Sequence, residues 1–377
     1  MTPYLVTFGI SSFFCGLGEY YDHRGRDIKC KFFTFLAVLS VSILAGVRDL
    51  NIGSDIWTYG EWAFNAAREN SNLISFISHQ ADLELMYNVL VWVVARFASD
   101  SHWLYFFTGF LIYYFVMKGI RNYKNQVSIT LAWIVFLLLY YGDTLNAMRQ
   151  FISVAIAFWG LKFGFDRKYK KYIIVTTFAV LFHTTAILSV LIMAISIFLR
   201  KKDSVSRRIL VVFVISAIAV AYSQILNIGI GIGLLSDKYS RYLSDDFALS
   251  LNPVLIRMPF LLLIGLYYNV YCHGERKYVK SWNSIGEGDV IVLLLIVDTL
   301  ISAMRGTVST LYRAAFQFGI YRTVAYSRVY SALKESINRV TIISILLICL
   351  IVIWIYQNVI MGNNEIYPYT SQILGLG

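Results

Sequence analysis

Apolar runs separated by short charged punctuation fill this chain almost from end to end, and that alternation restricts its fold more than any single residue does. The runs cover about 4–20, 32–47, 84–98, 102–118, 127–142, 145–163, 172–199, 209–226, 254–271, 289–303, 312–329 and 340–358. Most approach the roughly 20 residues that carry a helix across a hydrocarbon core of about 30 Å. Inside lipid every backbone N–H and C=O must find a partner within the protein, so helices or closed barrels are the permitted solutions. These runs are continuously apolar and long, which predicts helices rather than barrel strands. Composition agrees, since 58% of the 377 residues are apolar and 15% are charged, against roughly a quarter charged in a soluble domain. The expected fold is all-α: a polytopic integral membrane protein with about 12 transmembrane or re-entrant helices, range roughly 10–14, in a single transmembrane domain over residues 1–377.

The net charge of +11 is placed by the loops. Arg24, Arg26, Lys29 and Lys31 form one basic group; Lys118, Arg121 and Lys124 another; Lys162, Arg167, Lys168, Lys170 and Lys171 a third. Arg200, Lys201, Lys202, Arg207 and Arg208 follow, then Arg276, Lys277 and Lys280, then Arg322, Arg328, Lys334 and Arg339. Basic loops face the cytoplasm, so these groups report topology and argue against a nucleic-acid partner. Both termini are then outside, with outer loops at about 48–83, 227–256 and 304–312. The apolar stretch from Tyr4 to about Leu17 lacks a basic leader and a small-residue cleavage site, so it is expected to be retained as a first helix. Cys15, Cys30, Cys272 and Cys349 form no CxxC and suggest neither disulfides nor a metal.

Two places resist simple counting. Residues 172–199 join two basic loops but are too short for two full crossings, which predicts a short hairpin with His183 at its tip. Two full spans over 84–98 and 102–118 would put Lys118 on the wrong side, so 84–98 is expected to be re-entrant or interfacial. Irregular backbone at membrane depth survives where protein or a water-filled cavity satisfies it.

Six arginines break the basic-inside bias: Arg48, Arg149, Arg241, Arg257, Arg305 and Arg313. Such residues snorkel, pair with carboxylates or hold an anion, and several converging guanidinium forks suit a phosphate or diphosphate. Carboxylates gather in the first outer loop: Asp49, Asp55, Glu61, Asp82 and Glu84. At a partly dehydrated boundary a carboxylate has raised proton affinity and can act as general base toward a hydroxyl; for Glu61 and Asp82 a solvated acidic loop is the simpler reading. Asn146, Arg149 and Gln150 are expected at one helix start, with Asn146 and Gln150 on one face. His183 stands in an apolar run, where a satisfied structural histidine competes with a functional one. Asp143 and Asp298 are embedded carboxylates that suit either a proton path or, near outer helix ends, simple pairing with Arg149 and Arg305. The GIGIG run at 229–233 follows no strand and is no nucleotide fingerprint. With no HExxH and no DxD, neither a metal nor another cofactor is expected.

In this order, GVRDLNIGSDIWTYGEWAF, NAMRQFISVAIAF, AVLFHTTAIL, DKYSRYL, LYRAAFQFGIYRT and a tail with PYTSQIL span nearly the whole chain. The ordered set resembles the EpsG branch of the Wzy-type bacterial polysaccharide polymerases. One departure is Glu84-Leu85-Met86-Tyr87, where the family often has Glu followed by Pro-Gly and an aromatic. The resemblance implies a GT-C-like membrane glycosyltransferase of the bacterial inner membrane. Its donor and acceptor would be undecaprenyl-diphosphate-linked oligosaccharides, joined at the periplasmic face into O-antigen, lipopolysaccharide or a related polysaccharide. Partners implied are these lipids, the surrounding membrane lipid and a chain-length regulator protein. Carried over by residue, Arg149 and Arg241 would hold the diphosphate, helped by Arg48, Arg313 and Arg305. Asp55 would be the general base, with His183 or Glu84 as second choices, and Asn146, Gln150, Tyr59 and Tyr239 would line the sugar site. Two alternatives stand beside this reading. A lipid-linked oligosaccharide flippase or transporter should show internal repeats and discontinuous helices, and no convincing repeat is visible. An O-antigen ligase usually carries its large outer loop late in the chain, whereas here the largest is the first.

Overall fold

The computed structural model of the chain describes residues 1–80, 82–201, 205–220, 224, 228, 230–232, 249–266, 286–304, 311–333 and 339–376. Among these the regular elements are all helical. Four helices are long and apolar enough to cross a membrane: Asp27–Gly46, His102–Arg121, Ile129–Asn146 and Arg339–Ile360. The chain divides into two compact units, Met1–Ile187 with Leu333–Gly377, and Leu188–Ala332.

The first unit opens with an antiparallel pair, α1 (Thr2–His23) and α2 (Asp27–Gly46). Beyond it lie α6 (His102–Arg121), α7 (Ile129–Asn146), α8 (Met148–Phe165) and α9 (Tyr169–Phe182). Helix α8 is apolar on nearly every side and buried along almost its whole length, as a helix enclosed by others must be. Small residues bring the backbones close. A Cβ at Gly46 of α2 would sit 2.7 Å from the Cβ of Phe106 in α6, and Gly119 of α6 is filled in the same way by the Phe158 ring of α8. Without a hydrophobic force between helices in lipid, such contact is what holds them together.

Polar groups fix the two ends of this unit. At the basic end Glu19 accepts from the Ile129 and Thr130 N–H groups, both at 2.9 Å, satisfying donors that a helix start leaves open. Asp22 there bridges Arg121 and Lys124, each at 3.2 Å. Burial alone would raise the Asp22 carboxyl, but hydrogen bonds and charge from Lys124 and Arg121 hold it below the usual carboxylate range. The opposite end gathers the end of α2, the start of α6, the end of α7 and the start of α8. A segment after the last helix (Arg339–Ile355) folds back over it. Tyr4 donates to the Ile366 carbonyl at 2.8 Å, Tyr369 to the Leu44 carbonyl at 2.9 Å, and the Asp49 N–H to the Thr370 carbonyl at 3.1 Å.

The stretch expected as an outer loop over 48–83 contains helix rather than open chain: a π-helical turn Ile56–Glu61, then α3 (Trp62–Glu69) and α4 (Leu73–His79). Asn72 caps α4, accepting from the Ile74 and Ser75 N–H groups at 2.9 and 3.1 Å. Helix α5 (Leu85–Phe97) has 13 residues, about 20 Å of rise, which is short of a full crossing. Both its ends meet the 56–69 stretch: Tyr87 donates to the Tyr59 carbonyl at 3.3 Å, Arg96 donates to the Ala67 carbonyl, and Arg68 reaches the Ser99 carbonyl at 2.8 Å. Helix α9 ends at His183, whose backbone is extended, and a short 3-10 turn Thr184–Ile187 follows. The helix break therefore falls on the residue expected at a hairpin tip.

In the second unit are α10 (Leu188–Lys201), α11 (Val205–Val220), α12 (Asn252–Leu266), α13 (Glu287–Ala303), α14 (Leu311–Gly319) and α15 (Arg322–Ala332). The run 312–329, which reads as one span in the sequence, is thus broken at Ile320 and Tyr321. Beside the break, Asp298 accepts from Arg257 Nε at 2.8 Å and faces Arg322 Nε at 3.2 Å on the same oxygen. Arg322 therefore does not belong with the basic loop residues, and it cannot lie on the face opposite Arg257 as the loop charges suggested. Charge counting failed here because a guanidinium inside a unit follows its carboxylate rather than the loop bias. Ser302 closes the cluster, accepting from Arg257 Nη2 at 2.8 Å.

Candidate active site at the start of helix α8

Helix α7 stops at Asn146, Ala147 leaves the helical region (φ −101, ψ 54), and α8 starts at Met148. Asn146 and Gln150 are consequently on different helices and not one face of the same helix: the apolar runs put the break just before 145, whereas the structure puts it at Ala147. The helix start presents open N–H groups and the positive end of the helix dipole. Asp55, nearly buried, meets them through Oδ2, which accepts from the Met148 N–H at 3.2 Å. Asn146 holds the residue before it: its Oδ1 accepts from Ser54 N–H at 3.1 Å and from Ser54 Oγ at 2.6 Å.

Arg149 follows at the second position of α8, 8% exposed. Its Nη1 pairs with Glu84 Oε2. The guanidinium lies over the Tyr59 ring, 3.8 Å from its centroid, with the Tyr87 ring at 5.9 Å. Such stacking attracts the cation to the ring face and fixes the plane in which the fork presents its donors. The other Glu84 oxygen stands 3.7 Å from His183 Nε2. His183 Nδ1 accepts from the Thr185 N–H at 3.3 Å, with the Thr185 hydroxyl at 2.9 Å. A nitrogen that accepts a backbone N–H carries no proton of its own, so in the neutral ring the proton is on Nε2 and faces Glu84. Gln150 joins through Nε2, which donates to Thr185 Oγ1 at 3.3 Å.

Five sequence-predicted residues, Asp55, Tyr59, Glu84, Arg149 and His183, are thus brought to one place, with Asn146 and Gln150 at its margin. Arg48 is buried at the same junction: 1% exposed, it donates from Nη2 to the Leu145 carbonyl at 3.0 Å, reaches Met148 Sδ at 3.3 Å and rests on the Tyr105 ring at 5.3 Å. A cation there complements the carbonyl end of α7 and braces the α7–α8 junction from beneath. Asp143, for which Arg149 was the expected partner, instead accepts from Asn364 Nδ2 at 3.0 Å. Arg313 is on α14 in the second unit. Arg241, Tyr239 and Arg305 lie outside the described residues. Two contributors were missed. Tyr87 was findable, three residues after Glu84 on the same helix face; Thr185 was visible only as part of the FHTT string. Among the described residues no group of three or more His, Cys, Asp and Glu side chains could hold a metal ion.

The arrangement couples a guanidinium, a carboxylate that can take a proton, and an imidazole N–H that can stabilise that carboxylate. A family model described as EpsG family matches residues 31–371. The chain belongs to the EpsG family. The match takes in every residue of the cluster, and together with the apolar helices it marks this EpsG-family chain as a membrane-embedded protein. No curated protein and no solved structure matches it.

Proposed function

We propose that this EpsG-family protein is a glycosyltransferase that polymerises lipid-diphosphate-linked oligosaccharide repeat units at the start of α8. The observation that carries the reading is the Glu84–Arg149–His183 cluster on a helix N-terminus. A departing diphosphate develops charge that preorganised donors stabilise, and Arg149 with the α8 dipole supplies them. The acceptor hydroxyl oxygen forms the new bond to the anomeric carbon. The bond from that carbon to the donor diphosphate breaks, and its electron pair leaves on the lipid diphosphate. When the diphosphate takes over Arg149, Glu84 is released to accept the hydroxyl proton, while His183 Nε2–H steadies the carboxylate. Asp55 in this account organises the α8 start. Tyr59, Gln150 and Asn146 contact the sugars. Undecaprenyl diphosphate as carrier, the periplasmic face, about 12 crossings in a GT-C-like arrangement, and work beside a chain-length regulator belong to the same proposal.

One observation favours a second reading, a flippase for the same lipid. Helices α14 and α15 form a discontinuous element beside buried charges, as transporters use. A deletion strain separates the two through its surface glycan. Loss of the length ladder with one repeat unit still attached supports the polymerase; loss of every repeat unit overturns it in favour of the flippase or an O-antigen ligase.

A further inference from the structure

We infer that Asn364, in the segment after the last helix, is a positioning residue of this site, an inference that rests on the catalytic reading above. Its side chain is held between two residues of α7. Nδ2 donates to Asp143 Oδ1 at 3.0 Å, and Oδ1 accepts from Asn146 Nδ2 at 3.4 Å. Asn146 is thereby gripped at both ends of its amide, because its own oxygen holds Ser54 N–H and Ser54 Oγ. The next residue, Asp55, meets the Met148 N–H beside Arg149. A chain of directional hydrogen bonds therefore runs from the C-terminal segment through Asn146 and Ser54 to the carboxylate at the α8 start.

The backbone around Asn364 is shaped for this contact. Asn364 and Glu365 have φ values of +68 and +54, a region that asparagine tolerates and glutamate rarely enters. Conformations of this kind persist where surrounding contacts over-determine them, and they gather at working sites. Here the anchors are Tyr4 on the Ile366 carbonyl, Tyr369 on the Leu44 carbonyl, Ser371 on the Val47 carbonyl and the Gln372 N–H on Asp49. Both partners are cut to fit. A Cβ at Gly142 of α7 would lie 2.7 Å from Asn358 Oδ1 and 3.3 Å from Asn364 Nδ2. Gly53, with φ +88, presses the Ser54 loop so close to α7 that its Cβ would be 2.7 Å from the Leu145 carbonyl.

The test uses the full-length protein in lipid nanodiscs and in a deletion strain. Asn364→Gly keeps the left-handed backbone and removes the bridge. Asn364→Asp sets a second carboxylate against Asp143, and the exchange Asp143→Asn with Asn364→Asp restores the pair with donor and acceptor reversed. Each single Asn364 variant should lower polymer yield about tenfold to a hundredfold, the scale of a small misplacement of reacting groups. Each should also speed amide hydrogen exchange over residues 53–56 while α1 and α2 keep wild-type protection, and the exchange variant should recover both readouts. Wild-type glycan lengths or wild-type exchange at 53–56 in Asn364→Gly would overturn the inference, as would an exchange variant no better than Asn364→Asp. Identical glycan in strains with and without the wild-type chain would sink the catalytic reading instead, and the amide-exchange readout then decides Asn364 by itself.

Discussion

Arg149 in the first unit and Arg257 in the second each reach a carboxylate, yet the two clusters differ in what surrounds the pair. Asp298 is 0% exposed and accepts from Arg257 while facing Arg322, with Ser302 adding a further bond. Glu84 keeps 18% of its side chain exposed and divides its oxygens between Arg149 and His183, with a tyrosine ring beneath the guanidinium. The first arrangement ties α12, α13 and the break between α14 and α15 together. The second can exchange partners, since a ligand can approach it and an imidazole stands beside the carboxylate. Burying a charge pair contributes little net stability, but removing one member of it is costly. Exposure therefore separates a pair that holds helices from a pair that can take part in chemistry.

The largest effect expected from breaking that contrast is on activity. Arg149→Ala should reduce polymer formation about 100- to 1000-fold, the usual loss for one preorganised donor to a developing anion, with the protein still folded in the membrane. Glycan length on cells and protein amount in isolated membranes check both halves; normal long chains would remove Arg149 from the mechanism. In the second unit the loss should fall on stability. Asp298→Ala leaves the guanidinium groups of Arg257 and Arg322 without their shared carboxylate, at about 3–5 kcal/mol, seen as a lower melting temperature in detergent and less protein in the membrane. A sharper probe is Gly319→Ala, whose new methyl would meet Asp298 Oδ1 at 2.7 Å. Overpacking of that kind costs about 1–3 kcal/mol, so thermal unfolding should shift in the same direction by less. Smallest is Tyr59→Leu, which removes the ring under Arg149 and about 0.5–2 kcal/mol of cation–π attraction. Its signature should be a raised KM for the lipid-linked acceptor or donor with near-normal thermal stability, and an unchanged KM would deny Tyr59 any part in orienting the guanidinium.

How much of this was legible beforehand depended on the range of the interaction. Helices α6, α7 and α8 lie almost where the apolar runs put them, because a continuous run of apolar residues has one way to satisfy its backbone in lipid. The short α5 and the break at His183 were also legible, since crossing parity and length are arithmetic on the sequence. Arg149 and His183 stood out as polar residues in apolar surroundings, Asp55 and Glu84 as carboxylates of the first outer loop, and Tyr59 through the family resemblance. Which of them touch was not legible: Glu84 and Arg149 are 65 residues apart, and Arg48 meets the Leu145 carbonyl and Met148 at the same junction. The placement of Arg322 among loop residues failed for a related reason, because loop-charge counting knows nothing of a carboxylate on another helix. Asn364 carried no sequence signal at all; its importance lies in a backbone conformation and two distant partners.

By itself, the order of apolar and basic segments determined that this chain is helical and membrane-embedded, for both follow from the local balance between backbone hydrogen bonding and lipid. Tertiary structure alone decided which arginine meets which carboxylate, that the α7–α8 break lies between Asn146 and Met148, and that the C-terminal segment reaches back to it. Those outcomes depend on close approach between residues tens to hundreds of positions apart, where a few ångströms decide whether a charge is paired, stacked or left for a ligand.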